Sequence, residues 1–311
     1  MKTVLTTSAA EAAGLLKGGG IVAFPTETVY GLGADIFDEL AIAKIFKAKE
    51  RPADNPLIAH VASVVQIELV AKVITDSAQS LINAFFPGPL TVVLEKRADV
   101  PLIATAGLDS IGIRMPRNEL AQEFLKLCYT PVVAPSANLS GRPSPTTWQA
   151  VLEDLDGRID CILQGDPTEI GLESTVVDCR DEVPQVLRPG AISLDELQSV
   201  VATTQLANTE SDNAMPSPGL RHKHYSPKAK VLIWDPGESV TENTAAFIGL
   251  HLPDMKFRYS KVVRDFDEYA KSLYEFFREC DRRMITIVFC ETAEETGIGG
   301  ALMDRIRRAA M

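Results

Sequence analysis

Strand and helix patterns alternate over the first 202 residues of this 311-residue chain, and this alternation constrains the fold more than any other feature. Short apolar runs that stop at proline, glycine or polar residues indicate buried strands. We predict strands at 20–24, 57–61, 90–94, 111–114, 131–134, 160–163, 175–178 and 184–187. Helical spacing of apolar residues predicts helices at 8–17, 39–48, 76–85, 118–127, 146–155 and 193–201. No helix lies between 90–94 and 111–114, so we expect an α/β domain with a twisted mixed sheet.

A second, smaller α/β unit follows a polar segment. Residues 203–218 are mostly polar and end with two prolines, a composition typical of a linker. The runs VLIW (231–234) and ITIVFC (285–290) have the length and composition of buried strands. We therefore predict a first domain at 1–202, a linker or lid at 203–229, and a small Rossmann-like domain at 230–311.

The composition bounds the class of protein. The chain has 31 basic and 42 acidic residues, and this acidic balance is unfavourable for a general nucleic-acid binder. Its five cysteines are scattered without a CxxC motif, which favours a reducing compartment and predicts a cytoplasmic location. No run of about twenty apolar residues occurs, so we expect no membrane span.

A basic cluster stands out on this acidic chain. It consists of Lys44, Lys47, Lys49 and Arg51, with a single acid among them. The helical pattern puts Lys44 and Lys47 on the solvated face, whereas Lys49 and Arg51 come at the helix end, in a short loop with Asn55 and His60. A local group of cations of this kind suits a small anion such as a phosphate or carboxylate.

Other polar groups follow predicted strands. Ser136 and Asn138 come after the strand PVVA, and Arg188 follows another strand. Arg114 ends the apolar run IGIR and needs a carboxylate partner, either from the protein or from a ligand. Because ligands of open α/β sheets bind at strand ends, these groups together predict one polyanion site.

Two further patterns have ordinary explanations. His222 and His224 form an HxH pair without a third ligand nearby, so we predict no metal site in the protein. Three arginines near the C-terminus, Arg305, Arg307 and Arg308, lie where a helix dipole favours cations, and we interpret them as a structural helix end.

Taken in order, the motifs resemble the YrdC-like family in the long, two-domain form of the threonylcarbamoyl-AMP synthases. The matching segments are FPTETVYGLG, KAKERPADNPL, FFPGPLT, IGIRMP, APSANLSGRPSPT, GLESTVVD, LRPG and the linker end SPGLRHKHYSP. The paired signature KxR and SxN is present as Lys49 with Arg51 and Ser136 with Asn138. The segment before KHY departs from the usual pattern, which bears on the linker contacts only.

The resemblance implies an enzyme that joins L-threonine, bicarbonate and ATP into threonylcarbamoyl-AMP and releases pyrophosphate, with Mg²⁺ accompanying ATP. It implies that the product passes to a tRNA threonylcarbamoyl transferase, for the t6A modification at position 37, without stable nucleic-acid binding by this chain. The threonine residues it implies are Thr28, His60, Arg114, Ala134 and Ser174. The ATP residues it implies are Arg51, Asn55, Ser110, Ser136, Ser144, Arg188 and Tyr225. The catalytic residues it implies are Lys49, Arg51, Ser136 and Asn138.

Two alternatives remain at this point. A basic concave face on such a domain could bind double-stranded RNA, although the chain is acidic overall. A related carbamoyl-transfer domain of hydrogenase-maturation enzymes is the other, although the acylphosphatase and zinc-finger segments of those chains have no counterpart here. We further expect segment 216–227 to act as a lid, with Tyr225 near the nucleotide.

Overall fold

A computed structural model describes residues 2–52, 54–207, 225–234 and 245–311. In the first part of the chain the strands are β1 (Val4–Thr6), β2 (Val22–Phe24), β3 (Gly31–Asp35), β4 (Ile58–His60), β5 (Leu90–Glu95), β6 (Ser110–Arg114), β7 (Val132–Val133), β8 (Cys161–Leu163), β9 (Thr175–Asp178), β10 (Gln185–Arg188) and β11 (Gln205–Leu206). The helices there are α1 (Ala9–Lys17), α2 (Glu39–Lys49), α3 (Asp76–Phe85), α4 (Glu119–Cys128), α5 (Trp148–Leu155) and α6 (Leu194–Val200), with a 3₁₀ helix at Val64–Leu69.

Local sequence sets where these helices begin. Each of the six follows a residue whose side chain accepts a hydrogen bond from a backbone N–H of the first turn, which satisfies a donor that the helix itself leaves unpaired. The caps are Ser8, Asp38, Thr75, Asn118, Thr147 and Ser193. Ser193 and Glu196 form a reciprocal capping box.

The eleven strands form one mixed sheet in the order β1-β8-β2-β3-β7-β4-β6-β5-β9-β10-β11. Strands β4 and β6 are parallel, with His60 opposite Arg114, while β5 runs antiparallel to β6. The expected mixed α/β sheet is therefore confirmed. The register of β4 and β6 places His60 and Arg114 side by side at one edge of the sheet.

The second unit is a smaller α/β layer. Its strands are β12 (Lys230–Trp234), β13 (Ala246–Gly249), β14 (Tyr259–Val262) and β15 (Ile287–Glu291), and its helices are α7 (Phe266–Arg282) and α8 (Ile298–Ala310). The strand order is β12-β15-β13-β14, and every pairing is parallel. A parallel sheet covered by helices agrees with the Rossmann-like expectation.

The sequence pattern does not predict β3, because Gly31 and Gly33 are unfavourable in the interior of a strand. A Cβ at Gly33 would lie 2.6 Å from Cγ1 of Val132, so glycine allows β3 to approach β7. Strand β11 lies inside the stretch predicted as linker and pairs with β10. The division at 1–202, 203–229 and 230–311 remains a prediction, and most of the expected lid, up to residue 224, lies outside the described residues.

Helix α7 packs closely on the first unit. Gly171 has a φ of +84°, and a Cβ there would lie 2.5 Å from Cα of Lys271. Val29 and Leu172 of the first unit belong to the same hydrophobic cluster as Phe277 of α7. No helix in the described parts of the chain has the length and apolar character needed to cross a membrane.

Candidate active site

A pocket lies at the ends of strands β2, β4, β6, β7 and β10, beside Tyr225. The residues that line it are Thr26, Thr28, Val29, Tyr30, Gly31, Arg51, Ile58, His60, Arg114, Ala134, Pro135, Ser136, Glu173, Ser174, Arg188 and Tyr225. Most of the predicted binding residues are therefore brought together in one cavity. We call Thr28, His60 and Arg114 the Arg114 end, and Arg51, Glu173, Arg188 and Tyr225 the Arg188 end.

At the Arg114 end, the arginine already has protein partners. Its Nη2 lies 2.8 Å from Oε1 of Glu27, and both side chains are buried. Its Nη1 donates a hydrogen bond of 2.7 Å to Oγ1 of Thr28. Its Nε is buried and has no acceptor within the described residues. The sequence left open whether Arg114 pairs with a protein or a ligand carboxylate, and the structure supplies the protein carboxylate.

His60 is a neutral group in this environment. Burial, together with the positive charge of Arg114, lowers the pKa of His60 to about 3. Its Nδ1 lies 3.1 Å from the carbonyl oxygen of Ile58, and its ring contacts Phe24 edge-on. A histidine with this pKa is a weak base at neutral pH, so its contribution is a neutral hydrogen-bonding surface.

At the Arg188 end, two arginines lie close enough to influence each other. Arg188 donates to the carbonyl oxygen of Ser174 from Nε at 3.2 Å and from Nη2 at 3.1 Å. Arg51 donates from Nη2 to the carbonyl oxygen of Pro56 at 3.2 Å. Burial, with a smaller effect of Arg188, lowers the pKa of Arg51 to about 10. Both guanidinium groups remain charged at neutral pH.

Glu173 connects this end to the second unit. Its Oε1 accepts a hydrogen bond of 2.6 Å from Ser144, and its Oε2 accepts from Tyr274 at 2.9 Å and from Arg305 at 2.8 Å. Despite burial, Arg305 and Arg188 hold the pKa of the Glu173 carboxyl below its usual value. Arg305 thus provides an ion-pair partner for Glu173 from the second unit, while Arg51 and Arg188 line the pocket beside it.

Tyr225 covers the Arg188 end. Its ring stacks on Tyr274 with centroids 5.6 Å apart, and the guanidinium of Arg305 lies 5.4 Å from the ring centroid. The residue has a φ of +67°. Burial raises the pKa of the Tyr225 hydroxyl, so this group is neutral at physiological pH. Tyr225 thus lines the same pocket as Arg188, and its contact with a nucleotide remains a prediction.

Lys49 and Asn138 organise the site from behind and do not line the pocket. Lys49 is 1% exposed, and its Nζ donates to the carbonyl oxygens of Ser136 and Asn138, both at 2.5 Å. The Asn138 side chain accepts from Ser136 Oγ at 2.6 Å and donates to two carbonyl groups of its own loop. The SxN loop therefore derives its shape from the buried lysine.

The second unit also holds this loop. Arg278 of α7 is buried and donates from Nη2 to Asp154 at 2.9 Å and to the carbonyl oxygen of Pro143 at 2.6 Å. Asp154 in turn pairs with Arg142 at 2.5 Å. The far side of the SxN loop is thus fastened to α7.

The structure separates a few predicted residues from the pocket lining. Asn55 is buried beside Arg51, and its Nδ2 has no acceptor within the described residues. Ser144 lies beyond Glu173 and donates to it. Ser110 begins β6 and Arg114 ends it, so about 13 Å of strand separates the two residues. The ligand roles of these residues remain predictions.

Sequence reasoning missed Glu27, Glu173 and Arg305. The interpretation of Arg305 as an ordinary helix end is wrong, because the side chain is 0% exposed. A usable signal exists, since Arg305 shares the apolar face of α8 with Leu302 and Ala309. Glu27 lies in the motif FPTETVYGLG beside Thr28, and Glu173 lies in the motif GLESTVVD beside Ser174. Both neighbours are predicted site residues.

The described residues contain no group of three or more His, Cys, Asp or Glu side chains placed to hold a metal ion. Glu173, the carboxylate in the pocket lining, already has both oxygens engaged. These side chains do not fit a protein-held Mg²⁺ site.

Comparison with known proteins agrees with this picture. The profile of the Sua5, YciO and YrdC family, described as "Telomere recombination", matches residues 14–190, and that of the "Threonylcarbamoyl-AMP synthase, C-terminal domain" matches residues 192–311. The threonylcarbamoyl-AMP synthase of Pyrococcus abyssi is 41% identical, with 96% of this chain and 93% of that protein covered. The enzyme of that name from Bacillus subtilis is 39% identical, with 97% and 92% covered.

Among solved structures, P. abyssi Sua5 complexed with L-threonine matches with a TM-score of 0.91 at 39% identity, covering 99% of this chain and 97% of that one. The chain belongs to the threonylcarbamoyl-AMP synthase family, in its two-domain form. The resemblance inferred from the motifs is confirmed.

Proposed function

We propose that this protein is an L-threonylcarbamoyladenylate synthase, a nucleotidyltransferase that converts L-threonine, bicarbonate and ATP to threonylcarbamoyl-AMP and pyrophosphate. The observation that carries the proposal is the convergence of Arg114, Arg51 and Arg188 on one pocket. The reaction needs such a pocket because an amino acid and a triphosphate must meet in a single site. The relative solved with L-threonine supports the amino-acid half of the proposal.

The Arg114 end is the proposed site for threonine. The buried Nε of Arg114 lacks an acceptor within the described residues and suits a carboxylate oxygen. Thr28 accepts from Nη1 of Arg114, and Nη2 forms an ion pair with Glu27. The neutral ring of His60 and the residues Ala134 and Ser174 complete the proposed amino-acid site.

The Arg188 end is the proposed site for ATP. Arg51 and Arg188 offset the charge of the phosphates and stabilise the pyrophosphate as it leaves. Ser136 offers a hydroxyl at the pocket lining, and Tyr225 offers a ring surface. Lys49 acts indirectly, since its ammonium holds the loop that carries Ser136.

The chemistry proceeds in two steps. Bicarbonate takes up a proton and loses water to give CO₂, and the unprotonated threonine amine attacks the CO₂ carbon and releases a proton as the carbamate forms. A carbamate oxygen then attacks the α-phosphorus of ATP, the bond to the bridging oxygen breaks, and pyrophosphate leaves. Neither step needs a covalent enzyme intermediate, so positioning and fixed positive charge supply the catalysis.

Mg²⁺ enters as part of the MgATP substrate in this proposal, because phosphate oxygens and water are its usual ligands where the protein offers no carboxylate cage. The labile product would pass to a tRNA threonylcarbamoyl transferase, which uses it for the t6A modification at position 37. The cytoplasm, where tRNA and ATP meet, is the proposed location.

Mass spectrometry of the reaction products tests the proposal. The purified protein incubated with ATP, bicarbonate and L-threonine should form threonylcarbamoyl-AMP, with one pyrophosphate released per product. Omission of either threonine or bicarbonate should stop pyrophosphate release. Release of orthophosphate, or turnover that ignores threonine, would contradict the proposal.

A further inference from the structure

The motif PTET contains a buried acid for which the proposed reaction has no obvious use. Glu27 is 0% exposed, and it lies between two threonines of which one, Thr28, contacts Arg114. The negative charge of Glu27 repels the carboxylate of the ligand that the Arg114 end is proposed to bind. Its presence therefore requires a reason beyond the fold.

Glu27 cancels the charge of Arg114. Its Oε1 lies 2.8 Å from Nη2 of Arg114, and its Oε2 accepts a hydrogen bond of 3.2 Å from the backbone N–H of Arg117. His60, the neighbour of Arg114 across the strand pair, is neutral. The Arg114 end therefore has no net charge from these residues, although the buried Nε and Nη2 of Arg114 both lack a hydrogen-bond acceptor within the described residues.

Thr26 fixes the direction of the hydrogen bonds at Thr28. Oγ1 of Thr26 donates to the carbonyl oxygen of Val29 at 2.7 Å, so its only proton is used. The hydroxyls of Thr26 and Thr28 are 2.9 Å apart, and the proton between them must come from Thr28. Thr28 also accepts from Arg114, so it can present only a lone pair to a ligand.

These two features describe complementary halves of one ligand. The Nε donor suits a carboxylate, and the Thr28 lone pair suits an N–H of an amino group. We infer that Glu27 and Thr26 are positioning residues that set specificity, so that the Arg114 end accepts a zwitterionic α-amino acid and discriminates against plain anions. The inference rests on the proposed function and adds the reason why phosphate or bicarbonate does not occupy the threonine end.

Equilibrium binding to the full-length protein tests the inference, with L-threonine and 3-hydroxybutyrate as probes. The second probe is threonine without its amino group, and it carries a net negative charge. The wild-type protein should prefer L-threonine, and Glu27→Gln should reduce the preference by about tenfold, chiefly because 3-hydroxybutyrate binds more tightly. Inorganic phosphate should likewise compete better with L-threonine in this variant.

Two controls separate charge from disturbance of the fold. Glu27→Asp keeps the charge and should keep the preference. Glu169→Gln removes an exposed carboxylate that pairs with Arg117 at 2.8 Å and should change neither affinity. Thr26→Val should weaken L-threonine while it leaves 3-hydroxybutyrate unchanged, because Thr28 then loses its fixed direction.

A measurement on the wild-type protein remains if Glu27→Gln does not fold. Added salt should weaken ATP binding strongly and L-threonine binding little, because ATP is a polyanion whereas L-threonine is a zwitterion at an end where Glu27 pairs with Arg114. If L-threonine binding falls with salt as steeply as 3-hydroxybutyrate binding, or if Glu27→Gln folds with an unchanged preference, the inference is wrong. If the wild-type protein binds neither L-threonine nor ATP, the proposed function itself fails.

Discussion

The two ends of the pocket are built on different principles. At the Arg114 end, the buried Glu27 pairs with Arg114, and both residues belong to the first unit. Thr28, the next residue after Glu27, accepts a hydrogen bond from the same arginine. At the Arg188 end, the acid Glu173 pairs with Arg305 from the second unit, and Arg51 and Arg188 line the pocket. The comparison teaches that one pocket can contain two subsites whose ion pairs are closed by different parts of the fold.

The comparison also assigns a task to the second unit. Tyr274 and Arg305 contact Glu173, and Tyr225 lies between them and the pocket. None of the contacts described for Arg114 involves that unit. Disturbing the second unit should therefore affect the Arg188 end first.

Arg305→Ala should have the largest effect. It removes the cation that forms an ion pair with the buried Glu173 carboxylate, which costs about 3–5 kcal/mol of unfolding free energy. ATP affinity should fall, while L-threonine affinity in the folded fraction stays near the wild-type value. Urea denaturation and equilibrium binding measure the two effects.

Arg307→Ala is the matched control for this experiment, because Arg307 lies on the same helix with its side chain 52% exposed, paired with Glu295. It should change stability by less than about 0.5 kcal/mol. Glu173→Gln added to Arg305→Ala should recover part of the lost stability, since the unpaired charge disappears. Equal losses of ATP and L-threonine affinity in Arg305→Ala would break the comparison between the ends.

Arg114→Lys should have the next largest effect, and at the other end. Lysine keeps the charge beside Glu27 but lacks the fork that bonds Thr28 and the Nε donor. We expect L-threonine affinity to fall by about 10- to 150-fold, which corresponds to about 1.5–3 kcal/mol, and ATP affinity to persist. Arg117→Lys, with an exposed side chain, is the control. Unchanged threonine affinity in folded Arg114→Lys would remove this arginine from the proposed site.

The neutral state of His60 makes a prediction for acid stability. The folded pKa of about 3 lies below the unfolded value of 6.5, so only the unfolded state takes up a proton as the pH falls through this window. Stability is therefore lost on acidification, by about 2 kcal/mol between pH 7 and pH 5 from this residue. His60→Gln should reduce the pH dependence of the unfolding free energy by that amount. Urea denaturation between pH 7 and pH 5 measures it. A parallel curve for the variant would mean that His60 takes up its proton at the same pH in the folded protein as in the unfolded chain.

Gly171→Ala tests how closely α7 packs on the first unit. Its expected effect on the free energy of unfolding is the smallest among these predictions. The new Cβ would lie 2.5 Å from Cα of Lys271 in a conformation with φ of +84°. Gly107→Ala is matched, because Gly107 has φ of +80° with no atom within 4 Å of the added Cβ. The difference between the two variants isolates the clash with α7 and should be about 1–2 kcal/mol. If it is absent, the close approach of α7 is not needed for stability.

Sequence patterns were sufficient for the local parts of the fold. Helix α3 and strand β9 have the predicted bounds, because the caps and apolar spacings that define them are local properties. The motifs also led to Arg51, Arg114 and Arg188, since cations at the ends of apolar strands are conspicuous in a sequence. Strand β3 was not predicted, because its glycines are required by the close packing against β7, which lies about a hundred residues away in the sequence.

The sequence by itself determined the α/β class, the family and the polar groups that could hold an amino acid and a polyanion. Only the tertiary structure decided which acid neutralises which arginine. Arg305 and Glu173 are 132 positions apart, and their ion pair forms because the second unit docks on the first. A formal charge can be read from a residue type, but its countercharge depends on distance and burial, which arise only when the two units meet.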